Sequence, residues 1–145
     1  MPEWIEFHDS TLESVRATQS DTTLQLDANV HRWERSANGW KGSGWSQPVT
    51  IHIDGPAEHC EVGAPVTITD GCLTVDGIPH RNWLSLPFIR GGRLTLWFDV
   101  MWTGARVQFS GEGVRVESSG AATYVGALAD DMLPNELNTL TSDPQ

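Results

Sequence analysis

The chain has 145 residues, with nine Lys and Arg against nineteen Asp and Glu for a net charge of −10. That length suits one domain able to bury roughly two-thirds of its unfolded surface, so neither a disulfide framework nor a structural metal is needed for folding. The acidic balance argues against nucleic acid as a partner, and no apolar run approaches the roughly 20 residues of a membrane span. The opening MPEWIEFHDS lacks the basic and apolar regions of a signal peptide, so a cytoplasmic protein is expected. Hydrophobic residues at 39% and charged residues at 19% are ordinary for a globular domain. Cys60 and Cys72 are not in a C-x-x-C arrangement and read as small apolar residues, with one disulfide as the alternative.

The first element carries EFHDST, Glu6 to Thr11, which sets the three residue types of a serine-hydrolase triad side by side. Neighbours in a strand point to opposite faces, so His8 and Asp9 cannot both reach one reacting atom. No G-x-S-x-G elbow exposes a nucleophile. Ile5 and Phe7 are apolar at odd positions and Leu12 at an even one, so the chain changes phase between them. A bulge or turn at His8–Asp9–Ser10 explains that change, with Asp9 or Ser10 bonding nearby backbone.

TTLQLDANVH then alternates strictly, with Leu24, Leu26, Ala28 and Val30 on one face and Gln25, Asp27, Asn29 and His31 on the other. PVTIHID repeats the pattern with Val49, Ile51 and Ile53 against Thr50, His52 and Asp54. If the two strands pair, His31, His52, Asp27 and Asp54 form a His/Asp cluster on the open face. The alternative is a solvated face with ordinary charge pairs. None of the five histidines lies in an H-x-H or H-E-x-x-H set, so no metal is expected.

Between these strands, HRWERSANGWKGSGWSQP holds Trp33, Trp40 and Trp45, three of the seven tryptophans, beside Arg32, Arg35 and Lys41. Tryptophan next to cationic side chains makes a platform for sugar rings, aromatic ligands or a protein partner. The other reading is a long hairpin whose tryptophans fold back to cap one open end of the core. Trp33, Trp40, Trp45, Arg32, His31 and His52 are the candidate ligand-binding residues. No catalytic residue and no cofactor is assigned.

In the second half, glycine-bearing dipeptides suggest turns. Asp70–Gly71 as a two-residue hairpin sets Ile68 opposite Leu73 and Val66 opposite Val75. Asp76–Gly77 starts another turn, with Pro79 confining the next strand to a short or edge position. Gly91–Gly92 makes a further hairpin. A loop at Thr103–Gly104 pairs Val100 with Val107 and Phe98 with Phe109. A loop at Gly111–Glu112 pairs Phe109 with Val114 and Val107 with Val116. These two loops put all six residues on one face. GAATYVGALADDM fits a last strand or one short helix, and no amphipathic helix is found. LPNELNTLTSDPQ is polar and acidic and reads as a mobile tail.

The expected architecture is all-β: a single antiparallel β-sandwich or partly closed barrel of roughly nine to eleven strands, built largely of hairpins. It spans 1–129, with 130–145 as the C-terminal tail.

The opening W-x-x-F-H-D-S, here Trp4, Phe7, His8, Asp9 and Ser10, resembles uncharacterised bacterial β-rich families with an N-terminal F-H-D-[SA] motif, some of them immunity-protein-like. The resemblance covers the first ten to thirty residues and carries no catalytic residue across. It implies a bacterial cytoplasmic domain that binds another macromolecule. The leading expectation is a non-catalytic binding or protein-interaction domain, with an immunity-like role suited to its charge. The alternative is a small-ligand or carbohydrate-binding module using the Trp-bearing segment, and a hydrolytic enzyme using His8 or the His31/His52 face comes third. A homodimer through a sheet edge or a wet face is compatible with this architecture.

Overall fold

The period-two alternation becomes nine strands in the computed structural model, which describes residues 2–55, 63–101 and 104–137. These are β1 (Glu3–Ala17), β2 (Asp21–Ser36), β3 (Gly39–Asp54), β4 (Val66–Val75), β5 (Ile78–Arg81), β6 (Trp83–Leu86), β7 (Phe88–Val100), β8 (Arg106–Ser118) and β9 (Thr123–Ala127). Six of them pair antiparallel in the order β4-β7-β8-β3-β2-β1, and β1 returns to β4 through Thr11↔Thr67 and Leu12↔Val66. The barrel is therefore closed. The short strands hang from it: β5 on β4, β6 on β1 and β9 on β3.

A small closed barrel has room only for side chains, and one face of each strand fills it. Ile5, Phe7, Leu24, Leu26, Ile51 and Ile53 are buried in one cluster. Phe98, Val100, Val107, Phe109, Val114 and Val116 join the same cluster, as the alternation requires.

Several of the turns expected to place them are absent. Asp70–Gly71 lies inside β4, not at a hairpin, and Ile68 and Leu73 share a face through a register shift between Ile68 and Asp70. Gly71 is glycine because a Cβ there would stand 2.8 Å from Phe98 Cδ1 and 3.0 Å from Phe7 Cβ. Gly91–Gly92 and Gly111–Glu112 likewise lie within β7 and β8, which shift register against each other between Gly91 and Leu94. A bulge and a hairpin both change the phase of the alternation and both favour glycine, so the dipeptide alone cannot separate them.

The β7–β8 pairing is Phe98↔Val107 and Leu96↔Phe109, two residues from the expected register. Two residues is one full period, so each side chain keeps its face. Trp102 and Thr103 of that connection lie outside the described residues.

Other expectations hold. Asp76 (φ 49°) and Gly77 (φ 81°) make the tight turn between β4 and β5, and β5, with Pro79, is short and at an edge. The stretch after Gly120 provides β9 and then one 3-10 turn, Asp130–Met132. Cys72 is buried with a free thiol, while Cys60 and His59 lie outside the described residues. Among the described residues no helix is long and apolar enough to cross a membrane.

Candidate ligand-binding site on the outer face

His8, Asp9 and Ser10 form a corner of the barrel. β1 pairs with β2 on one edge, while its other edge passes from β6 to β4 at this point. The register shifts between Glu6 and Thr11, with Asp9 in the left-handed region at φ 66°. Ser10, 0% exposed, donates from Oγ to the Glu6 carbonyl at 2.6 Å and accepts the Asn29 N–H at 3.0 Å. With both roles occupied by backbone, its hydroxyl has no base: the bend reading holds.

His8 points away to the surface and donates from Nδ1 to the Thr69 carbonyl at 2.5 Å. That hydrogen bond raises the His8 pKa above the ordinary 6.5, opposed by desolvation and helped by Asp9, Glu6 and Asp70. A folded-state pKa above the unfolded one gives stability that is fully present below the unfolded value and is lost as pH rises through the folded one. The stability difference between wild type and His8→Ala, from urea melts, is therefore expected to shrink from about pH 6 to about pH 8. A difference that grows over this range contradicts the contact.

Asn82 stitches this corner. Its N–H donates to the Gly71 carbonyl at 2.8 Å, its carbonyl accepts from Phe7 at 2.8 Å and its Oδ1 accepts the Gly71 N–H at 2.9 Å. Asn82 Nδ2 also donates to Asp70, which Arg81 holds at 2.6 Å. Burial acts to raise the Asp70 pKa, but the bonds from Arg81 and Asn82 outweigh it and the carboxyl titrates below its usual value.

Of the two readings of this face, the His/Asp cluster does not form. Thr23, not His31, stands opposite His52, so the two imidazoles lie eight positions apart along the β2–β3 ladder, or about 26 Å at 3.3 Å per residue. His52 Nε2 sits 3.3 Å from Asp54 and 3.6 Å from Asp21, and its Nδ1 is 3.3 Å from Thr23 Oγ1. This is a hydroxyl–imidazole–carboxylate sequence, but Asp54 is 71% exposed, and exposed ion pairs of this kind contribute little. Asp27 instead accepts from Ser46 at 2.6 Å. His31 is buried rather than solvated, with Glu6 at 3.1 Å from Nε2 and Trp83 edge-on at 4.8 Å.

The tryptophan segment is a continuous hairpin, not a loop. Strands β2 and β3 pair without interruption from Asp21↔Asp54 to Ser36↔Gly39, with Gly39 at φ 111°. The Asn38–Gly39 dipeptide is the local signal for it. This register separates the three tryptophans. Trp45 stands opposite Val30 on the inner side and packs against the core, under Arg32 at 4.4 Å and beside Tyr124 at 5.3 Å. Arg32 is held in turn by Glu3 at 2.7 Å. Trp45 therefore caps the core, while Trp33 and Trp40 lie on the outer side. Trp33 is 0% exposed and lies flat over Gly42, where a Cβ would stand 2.6 Å from its ring.

Pairing of β6 with β1 adds Trp4 and Trp83 to the same outer face. Trp4 stands opposite both Ser85 and His31, one rung across three strands. The chain after β9 then folds back over these residues. On one side of it Trp4, Trp83, His80 and Arg81 line a cleft of about 430 Å³. On the other side Trp33, Trp40, Asn38 and Lys41 line a second, of about 480 Å³. Leu133 lines both. In the first cleft, burial and Arg90 hold His80 below its ordinary pKa against the opposing pull of Glu136, so the ring is neutral at neutral pH.

Four polar atoms of this face lack partners among the described residues: the buried indole N–H groups of Trp4, Trp33 and Trp40, and His31 Nδ1. A buried donor without an acceptor costs about 1–3 kcal/mol, so three in one place need an explanation.

No protein-family model, curated protein or solved structure matches the chain.

The chemistry of the face therefore rests on its own geometry. It offers aromatic walls and buried N–H donors without acceptors among the described residues, in clefts of the size that holds a small ligand. Trp4 and Trp83 were not among the expected site residues, because only the β1–β6 pairing brings them to it. Arg32, Trp45 and His52 lie elsewhere, while His31 lies on the face with its ring turned to Glu6 and Trp83.

Proposed function

We propose that the protein is a non-catalytic binding domain whose outer aromatic face holds a neutral, acceptor-rich ligand, in the first place a carbohydrate. One observation carries this reading: Trp40, half-buried, lines a cleft and has an indole N–H with no acceptor among the described residues. A sugar ring fits both requirements, because its C–H face stacks on an indole while its hydroxyl oxygens accept from N–H donors. The reading includes a cytoplasmic protein without a cofactor, able to dimerise through an open sheet edge.

Titration of the intrinsic fluorescence with neutral hexasaccharides of glucose, xylose and N-acetylglucosamine tests it. Quenching or a wavelength shift is expected with at least one, and Trp40→Ala should weaken that binding by about tenfold, the loss of one stacked ring. A flat titration with all of them, unaltered in the variant, removes the reading.

The net charge of −10 favours a second one, a protein-interaction domain that steers a cationic partner onto an acidic surface, as an immunity-like role requires. The absence of any toxin-like reading frame beside its gene would remove the support for that version.

A further inference from the structure

We infer that β9 is a docking edge for a second copy of this chain, and that the two copies join their β9 strands antiparallel about a two-fold axis at Val125. The inference rests on the open-edge dimer of the proposed function, to which it adds the edge and the register. It is independent of the carbohydrate reading.

Among the described residues three strands have a ladder partner on one side alone: β5 on β4, β6 on β1 and β9 on β3. In β5, Pro79 has no N–H to give and Arg81 brings a charge, both of which discourage pairing. β6 has no exposed side chain, and Pro87 follows it. β9, TYVGA, has neither proline nor charge. Its Tyr124 and Val125, neighbours in sequence, are 58% and 69% exposed.

Charge selects the occupant. At −10 two copies repel each other over most of their surface, so they meet where it carries no charge. Residues 118–129, SSGAATYVGALA, are uncharged throughout and contain the whole of β9. A cationic partner gains nothing at this edge, because β9 has no carboxylate to offer it.

The strand is also complementary to itself. A two-fold axis at Val125 sets each Tyr124 opposite the partner's Gly126, so the same contact forms twice. An aromatic ring laid over a cross-strand glycine covers the bare backbone and offsets the weakness of glycine in a strand. Within its own chain Gly126 has no need to be glycine: a Cβ there meets nothing within 4 Å, and its φ is not positive. Tyr124 is held edge-on to Trp45 at 5.3 Å, so its ring is positioned before the copy arrives. The register shift of β9 against β3 leaves Val125 without a partner in that ladder, and the second copy supplies one.

Five residues a side is short against the roughly 20–30 of a standard interface, so the association is weak and shows in its concentration dependence. Sedimentation velocity of the full chain from about 1 μM to about 1 mM tests it. The average mass is expected to rise towards that of two chains. Val125→Lys sets like charges face to face at the axis and should weaken association at least about tenfold. Gly126→Thr should weaken it too, by filling the seat of Tyr124, while the urea midpoint stays level or rises because threonine suits a strand. A chain that stays monomeric throughout removes this edge and the open-edge dimer together. A dimer that survives both variants overturns β9 but keeps a dimer through another surface. Loss in Val125→Lys with none in Gly126→Thr overturns the register at Val125. If Val125→Lys does not fold, by far-UV circular dichroism, Gly126→Thr alone decides. The sugar titration answers separately for the carbohydrate reading in every case.

Discussion

Gly111→Ala is expected to lower stability by about 3 kcal/mol, seen as a lower urea midpoint with an unchanged slope. Gly111 lies in β8 where the end of β3 crosses it. A Cβ at this position would collide with the Asp54 carbonyl oxygen and with Ile53 Cγ2. A flexible side chain could swing aside, but one of these two atoms is backbone, in a strand that pairs with both β2 and β8. Relief therefore requires β3 and β8 to separate at the end where Asp54 meets Gly113. Propensity works in the opposite direction, since alanine in a strand interior is favoured over glycine by about 0.5–1 kcal/mol, so the loss reports the collision alone. A midpoint within error of wild type would show that the two strands do not approach as described, and the closure of the barrel at that end would need revision.

Ser10→Ala should cost about 2–4 kcal/mol, because the hydroxyl serves two buried backbone groups at once. Its removal leaves the Glu6 carbonyl without its 2.6 Å donor and the Asn29 N–H without its 3.0 Å acceptor. Alanine keeps the size of the side chain, so a cavity does not confuse the result. The neighbouring His8→Ala, at an exposed ring, is the contrasting case and should cost far less. Equal small effects at the two positions would mean that the corner is held by something other than the serine.

Both residues show how far single-sequence reasoning reaches. At Ser10, the phase change from Phe7 to Leu12 implied an irregularity, and the residue type implied a backbone hydrogen bond. The bulge was legible because parity is a local property. At Gly111 the same phase change is visible, but a hairpin and a bulge have the same local signature there. Nothing within ten residues could correct this, because the strand that crosses Gly111 comes from the other half of the chain. Gly71 repeats the lesson: it marks a close approach, and Phe7, one of the partners in that approach, is distant in sequence.

The candidate site divides in the same way. Trp33 and Trp40 were picked out by their density in one segment, and Asn38–Gly39 contained the register that separates them from Trp45. Trp4 and Trp83 had no local mark, since a tryptophan in a strand is ordinary. By parity His31 belongs to a polar face, yet it is buried against Trp83 and paired to Glu6, both placed by strands outside the β2–β3 hairpin.

By itself, then, the sequence determined which side of each strand faces the core, because alternation acts over two residues and survives a register error of two. It also determined that the F-H-D-S stretch bends. Closure of the barrel, the crossing of β3 over Gly111 and the gathering of Trp4, Trp33, Trp40 and Trp83 under residues 130–137 were decided only by tertiary structure. Those features depend on which distant strands become neighbours, and the free energy that selects neighbours is shared across the whole core rather than stored in any one segment.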